Sequence, residues 1–539
     1  MEFDLSLDVP ETFNMASVLV DRHVAEGRGS RVAIHYQDDS ITYADLLKRV
    51  NKAGNMLRDQ GIEIEDRVLI LTTDRPEFIE SFVGAMKIGA VPVPINTLSE
   101  RDDLAYYIED SRAAAVIADD QFLRRLEGFP GTFRYLKRVF VLPDADSSQT
   151  SASIAKSLGP RAAELSYRDA FAAASDELEV EPTSRDDPSY WLYSSGTTGP
   201  AKGTVHLHQD MVYCTSTWLR EVSKPTPDDR NFTASKLFTS YGLVNGLYQP
   251  LMACNATVLM PGPPTTQAVV DTIARYRPTI FFTVPALYNN ILNDHAAGKL
   301  QVDLSSVRLC ISAGDALPPV IYDRWLETFG IELLDGIGST EFGYIYIQNL
   351  PGRARPGSSG QLLPGYNAKI LDEDGHPVPQ GEVGELYVQS PSFAFAYWKK
   401  RDRSRDTFRG PWLKTGDLYT LDADGYYHYE GRADDMFKVN AQWVSPIEVE
   451  GVLLRHPSVA EVAVVPYKQA DGRIKPRAHV VLRDGSAGGS ELADALVRFC
   501  AEGLDRDHLY KCPQEIRFES DPLPKTASGK IQRHKLRQR

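Results

Sequence analysis

A loop running Tyr193-Ser-Ser-Gly-Thr-Thr-Gly-Pro-Ala-Lys-Gly-Thr204 follows an apolar stretch. Ser194, Ser195, Gly196, Thr197, Thr198, Gly199 and Lys202 bring hydroxyls, glycines and one ammonium into a short span. Small residues let backbone N–H groups converge on an anion, hydroxyls add donors, and the lysine adds a point charge. Such a loop suits a polyphosphate. It departs from the Walker pattern, in which Gly and Lys are adjacent, because Lys202 stands three residues after Gly199. A second string, Asp335-Gly-Ile-Gly-Ser-Thr-Glu341, sets hydroxyls beside a carboxylate. That donor set suits a hard cation such as Mg²⁺, with Glu341 as the ligand. Lys414-Thr-Gly-Asp417 places a carboxylate after a tight glycine turn, where it can grip a vicinal diol. Gly431-Arg-Ala-Asp-Asp435 offers Arg432 to a phosphate. Near the end, Leu523-Pro-Lys-Thr-Ala-Ser-Gly-Lys-Ile-Gln-Arg533 puts Lys530 on a basic arm able to swing onto a phosphate or carboxylate. Taken singly, each string has a plainer reading: a flexible loop, a carboxylate matched to a helix N-terminus, turn chemistry, or a solvated basic tail.

The elements that must position these groups read as an α/β protein. Continuous apolar runs at Arg67–Leu71, Ala113–Ala118, Arg138–Leu142, Thr279–Val284 and Val307–Ser312 alternate with helical spacing such as Glu77–Ile88. Runs of this kind predict parallel sheets covered on both faces. From Tyr366 to Tyr429 turn signals separate short alternating strands, which predicts a β-barrel-like subdomain over residues 366–430. The residues after 433 read as a small α+β unit, with helices at Ile447–Arg455 and Ser490–Glu502 and strands at Val459–Pro466 and Ala478–Arg483. The predicted division is a large domain over 1–433 and a mobile domain over 434–539. The Ala/Ser-rich stretch near residues 146–176 reads as a surface excursion. Leu237–Val270 carries no charge, yet its Gly, Asn, Gln and Pro residues would be costly in lipid, so it reads as buried structure.

Composition narrows the function classes. The 539 residues, 42% hydrophobic and 24% charged, exclude disordered, collagenous and coiled-coil chains. The net charge of 59 − 73 = −14 argues against nucleic acid as a partner. Five widely spaced cysteines without a CxxC argue against a disulfide framework and for a reducing, cytoplasmic setting. The acidic N-terminus lacks the form of a signal peptide.

Together, in this order, the strings resemble the acyl- and aryl-CoA ligases among adenylate-forming enzymes. The resemblance runs from Ile41-Thr-Tyr-Ala-Asp-Leu46 through GAVPVPINT (89–97) to PKTASGKIQR (524–533). Lys236-Leu-Phe-Thr-Ser-Tyr-Gly-Leu-Val-Asn245, DGIGSTE and WVSPIEVE (443–450) are similar to the benzoate and 4-hydroxybenzoate branch. The resemblance implies ATP, Mg²⁺ and coenzyme A acting with an aromatic acid, in a monomer or homodimer. It implies that Lys530 bridges the carboxylate and the α-phosphate. The 194–203 loop would hold the β,γ-phosphates, and Thr340 and Glu341 the α-phosphate and Mg²⁺. Asp417 would hold the ribose with support from Arg432. Gly314, Asp315, Asp335 and Gly336 would frame the adenine. Asp434 matches the hinge position, and in a rotated state Lys438 would face the site for thioester formation.

The resemblance places the acid pocket at Tyr241, Gly242, Gly336, Ile337, Gly338 and Tyr344. Glycine gives a flat ring space and aromatics stack on it. A Tyr344 hydroxyl bonded to a ring hydroxyl would favour 4-hydroxybenzoate; a core Tyr344 with its hydroxyl satisfied elsewhere would not. Three positions depart from the family pattern. Pro200 comes one residue early, so that Ala201 precedes Lys202; Ala441 replaces a glycine near the pantetheine path; and Asp315 stands where Glu is common. Two other functions compete. One is an aryl-acid adenylating enzyme that loads a carrier protein, and the other is a non-catalytic nucleotide-binding relative.

Overall fold

The computed structural model describes the chain apart from residues 1–8, 144–157, 160–161, 195–199, 434, 440–441, 470–472, 484–487, 505, 526–530 and 538–539, and the side chains of 443 and 506–508. Two large sheets carry the N-terminal part. One is wholly parallel, in the order Val91–Pro94, Arg67–Leu71, Ala115–Asp119, Arg138–Leu142, Ala163–Ser166. The other has nine strands. Its parallel centre runs from Leu333–Gly338 through Leu309–Ala313, Ile280–Thr283, Arg230–Thr233 and Ala256–Val258 to Val32–Tyr36, with antiparallel strands at both edges. The apolar runs read from sequence are these strands, displaced by two residues at most at either end. They are buried along nearly their whole length, as strands covered on both faces must be.

Two strings shared with the ligases prove to be structural. Ile41–Leu46 starts the helix Tyr43–Asp59. There the Thr42 hydroxyl accepts the Asp45 N–H while the Asp45 carboxylate accepts from the Thr42 backbone, a capping box. In GAVPVPINT, Gly89 takes φ +75, and Pro92 and Pro94 occupy the edge strand, where their missing donors cost the ladder nothing.

An antiparallel three-stranded sheet, Ala396–Tyr397, Lys202–Leu207 and Pro188–Ser194, holds both ends of the 194–203 loop at Ser194 and Lys202. The barrel-like subdomain is a second antiparallel sheet, Asn367–Leu371, Gly384–Gln389, Trp412–Leu421 and Phe408–Arg409, with Tyr427–Arg432 also paired to Trp412–Leu421. The C-terminal part packs Pro446–Leu453 and Ser490–Gly503 against Val459–Lys468, Ile474–Leu482 and Glu515–Phe518 around its own apolar core.

Leu237–Met260 is buried apart from Phe238–Tyr241, which are half-buried, whereas Pro261–Ala268 emerges to the surface. The 146–176 stretch is no excursion over its described second half. Ala163–Ser166 completes the parallel sheet, and Tyr167, buried on the following helix, donates to Glu80 at 2.8 Å. Apolar pairing overrides the composition there. Among the described residues no helix is long and apolar enough to cross a membrane. All five cysteines are buried, unpaired thiols.

Candidate active site

The site gathers where three elements meet. Lys202 begins the strand Lys202–Leu207, with Ser194 opposite it in register. Glu341 lies in the one-turn helix Thr340–Phe342, just past the end of the strand Leu333–Gly338. Tyr397 lies on the neighbouring strand Ala396–Tyr397. Lys202 Nζ sits 3.9 Å from Glu341 Oε1 and 4.2 Å from the centre of the Tyr397 ring. The Tyr397 hydroxyl donates to Glu341 Oε1 at 2.6 Å. Burial alone would raise the Glu341 carboxyl. The charge of Lys202, the Tyr397 hydroxyl, its own backbone N–H and the charge of Arg432 outweigh burial and hold it below the usual value. Burial lowers the Lys202 ammonium, against the pull of Glu341.

Asp417 and Arg432 face each other across the antiparallel pair Trp412–Leu421 and Tyr427–Arg432. Arg432 Nη1 donates to Asp417 Oδ1 at 2.9 Å and to the Thr415 carbonyl at 3.0 Å. Gly416 between them takes φ +74, and a Cβ there would lie 3.1 Å from Arg432 Nη2. The tight glycine turn therefore makes room for the guanidinium. Asp417 holds the guanidinium well above its ordinary value. The same guanidinium charge reaches Lys202 and Glu341, so the two halves of the site form one electrostatic unit.

Asp335 is buried in the strand that leads to Glu341, and burial pushes its carboxyl up to about 8. The Leu317 N–H donates to it at 3.3 Å. Asp315 is exposed, near enough to raise Asp335 further. Gly314 takes φ +101 at the end of its strand.

The structure also shows groups that the motifs did not reveal. His206, four residues after Lys202, is fully buried with Nε2 2.7 Å from the Thr340 carbonyl and Nδ1 3.0 Å from Asp210 Oδ2. The Ala394 N–H donates to the Glu341 carbonyl at 2.6 Å, and Ser240 Oγ donates to the Gly343 carbonyl at 2.6 Å. A His-x-x-x-Asp string just after the loop, in step with Lys202 on one strand face, was the available signal. Tyr397 had none.

The acid end differs from expectation. Tyr344 is 2% exposed, and its hydroxyl donates to Asn245 Oδ1 at 2.5 Å inside the core. Its hydroxyl is thus satisfied inside the core, the second of the two arrangements weighed from the sequence. Tyr241 stacks on it with centroids 6.4 Å apart and donates to the Ile311 carbonyl at 2.9 Å. The glycines serve close backbone approach rather than ring space. A Cβ on Gly242 would meet the Lys236 carbonyl oxygen at 2.1 Å, one on Gly338 the Tyr344 carbonyl oxygen at 2.4 Å, and one on Gly336 the Gln348 side chain at 2.7 Å. Ile337 is half-buried beside them.

Ser195, Gly196, Thr197, Thr198, Gly199, Asp434, Ala441 and Lys530 lie outside the described residues. The residues flanking Lys530 and Asp434 are tied together. Arg533 donates to both Glu450 oxygens, at 3.2 and 2.7 Å, and lies 3.7 Å from Asp435, which also accepts from Arg537 at 2.8 Å. Lys438 stands apart from the cluster, on an exposed strand position with its ammonium 3.5 Å from Glu373 of the barrel-like subdomain.

The donor set fits a magnesium–polyphosphate group. Glu341 supplies a carboxylate of lowered pKa, and the hydroxyls of Ser194 and Ser339 are buried with no partner among the described residues. Hard oxygen donors of this kind suit Mg²⁺ and phosphate. Comparison with known proteins agrees. The model of the AMP-binding enzyme matches residues 21–398, and that of the AMP-binding enzyme C-terminal domain matches 448–530.

The chain belongs to the AMP-binding enzyme family.

Among members of this family, a benzoate–CoA ligase of Thauera aromatica is 39% identical over 99% of this chain and 97% of its own. A 4-hydroxybenzoate–CoA/benzoate–CoA ligase of Rhodopseudomonas palustris is 37% identical over 98% of this chain and 94% of its own. The crystal structure of an anthranilate CoA ligase in complex with anthranoyl-AMP superposes with a TM-score of 0.90 at 36% identity, covering 99% of this chain and 98% of that one. Its likeness extends to the AMP-binding enzyme fold as a whole, the smaller C-terminal unit included.

Proposed function

We propose that this AMP-binding enzyme joins an aromatic carboxylic acid of the benzoate or 4-hydroxybenzoate type to coenzyme A, with ATP cleaved to AMP and pyrophosphate. The observation that carries the reading is the single cluster of Lys202, Glu341, Tyr397, Arg432 and Asp417 at the foot of the phosphate loop. In the first half-reaction a carboxylate oxygen of the acid bonds to the α-phosphorus, and the bond to the β-phosphate breaks. Two anions must meet, so charge on the phosphates has to be neutralised in a site already organised for it. Lys202 and the loop hold the outer phosphates. Glu341 would hold Mg²⁺, which would supply charge neutralisation, and Thr340 would serve the α-phosphate. Arg432 fixes the Asp417 carboxylate, through their ion pair, for the ribose hydroxyls. Lys530 bridges the two reacting anions. In the second half-reaction the CoA sulfur bonds to the acyl carbon, its proton leaves, and AMP departs. A division at 434 would place a hinge between the two reactions, with Lys438 moving in as Lys530 moves out. The five unpaired thiols favour the cytoplasm as the working compartment.

AMP release with ATP, Mg²⁺ and CoA, measured against benzoate, the hydroxybenzoates, anthranilate, cinnamate, cyclohexanecarboxylate and medium-chain fatty acids, tests the reading. CoA-dependent release with one or two ring acids is the expected result. Pyrophosphate release that ignores CoA would favour a carrier-protein acceptor instead, and no turnover with any acid would favour a nucleotide-binding relative.

A further inference from the structure

The turn that carries Thr340 and Glu341 is one helical turn long, too short to hold its own geometry. Its backbone is fixed from outside by three bonds: His206 to the Thr340 carbonyl, the Ala394 N–H to the Glu341 carbonyl, and Ser240 to the Gly343 carbonyl. The first of these is built unlike the others. A carbonyl only accepts, so His206 Nε2 carries a hydrogen and donates it. The opposite ring nitrogen is held by Asp210, which is fully buried and also accepts the Leu207 N–H at 3.0 Å. The ring is further flattened against Tyr190, with centroids 4.8 Å apart and planes 7° from parallel. Gly343, at φ +74, points its missing Cβ toward Met211, Tyr190 and His206, so the far end of the turn packs on the same group. His206 is therefore held at both ring nitrogens and along one ring face.

Its place on the strand matters equally. Lys202 and His206 are four residues apart on the strand Lys202–Leu207, on one face and separated by ~13 Å. Lys202 meets the Glu341 side chain at one end, and His206 holds the Thr340 backbone at the other. The strand is a ruler that sets the Glu341 carboxylate against the lysine of the phosphate loop. We infer that His206, anchored by Asp210, is a positioning residue for acyl-adenylate formation. It acts through the Thr340–Glu341 backbone and touches no reactant. The inference rests on reading Glu341 as the magnesium-binding carboxylate.

The test compares the full-length enzyme with His206→Gln, His206→Ala, the double variant His206→Gln/Asp210→Asn, and Glu341→Gln. Two readouts are taken: ATP affinity by calorimetry with and without Mg²⁺, and the separate rates of adenylate formation and of thioester formation from preformed acyl-AMP. The single His206 variants should lower the Mg²⁺-dependent gain in ATP affinity and the adenylation rate by roughly 10- to 100-fold, the range for losing a group that orients a metal ligand. Thioester formation should change less than about threefold by the same reasoning, since it does not use that carboxylate. In the double variant the glutamine amide can donate to the Thr340 carbonyl and accept from the asparagine, whose carbonyl still accepts the Leu207 N–H; adenylation should recover substantially over His206→Gln. Equal losses in both half-reactions, or unaltered adenylation in folded His206→Gln, would overturn the inference. Should His206→Ala fail to fold, the two glutamine-bearing variants still decide it. If Glu341→Gln retains the full Mg²⁺-dependent gain, the metal reading fails and takes this inference with it. If Glu341→Gln loses the gain while His206→Gln keeps it, only the positioning role falls.

Discussion

The two ends of the candidate site are built on opposite plans. At the candidate nucleotide end, Lys202, Glu341 and Tyr397 form one bonded group and Arg432 and Asp417 another, linked by the charge of Arg432, and all but Glu341 sit on strands. At the acid end, Tyr241 and Tyr344 have their hydroxyls committed to the protein, to the Ile311 carbonyl and to Asn245, and Gly242, Gly336 and Gly338 are pressed against backbone or side chain. One end is built from paired charges and the other from close packing. An enzyme with such a division should hold ATP by interactions that can be deleted one at a time, and should choose its acid by fit, where single hydrogen bonds count for little.

Four substitutions sharpen or break that contrast. Glu341→Gln should have the largest effect, lowering adenylation by about 10³-fold with the Michaelis constant for the acid little changed, read by ATP–pyrophosphate exchange. A small loss would mean that the charged end is not the centre of the chemistry. Gly242→Ala should come next. Its new methyl meets the Lys236 carbonyl, so the acid-end backbone must shift, and a shift near 1 Å can cost about 100-fold in kcat/KM for the acid. ATP affinity should hold, and equal losses in both would merge the two ends into one. Asp417→Ala should raise the KM for ATP by roughly 10-fold, the worth of a charged hydrogen bond, without altering the ranking of acids. It also leaves Arg432 without its carboxylate partner, so melting temperature should be read alongside. Tyr344→Phe should be smallest in activity. The preference between benzoate and 4-hydroxybenzoate should move by less than about twofold, while stability falls by about 1–3 kcal/mol because Asn245 Oδ1 loses its donor in the core. A reversal of acid preference would show that the hydroxyl reaches the ring after all.

The same contrast explains what could be read from the amino-acid sequence. Lys202, Glu341, Asp417 and Arg432 were legible as candidates because each is a charged residue set beside Gly, Ser or Thr in a short string. The parallel sheets were legible because buried strands are continuous apolar runs. The two readings of Tyr344 could not be separated in sequence because a residue's type does not tell which way its side chain leaves the backbone. Gly242 and Gly338 were assigned to ring space for a related reason, since sequence gives the missing side chain but not the neighbour that forbids it. His206 and Asp210 went unnoticed because their partner, Thr340, lies 134 residues away and offers only its backbone. The strand at Ala163–Ser166 was hidden by the Ala/Ser composition around it, which edge pairing overrode.

The cysteines carry a consequence of another kind. The proposed chemistry makes a mixed anhydride whose purpose is to meet a thiol, inside a protein that has five thiols of its own. All five are buried, and burial pushes Cys214 and Cys310 up to about 12. A thiol kept protonated is a poor nucleophile. Cys512 is lowered instead by its hydrogen bond with Cys500, so burial rather than protonation is what all five share, and burial would leave the sulfur of coenzyme A without a rival.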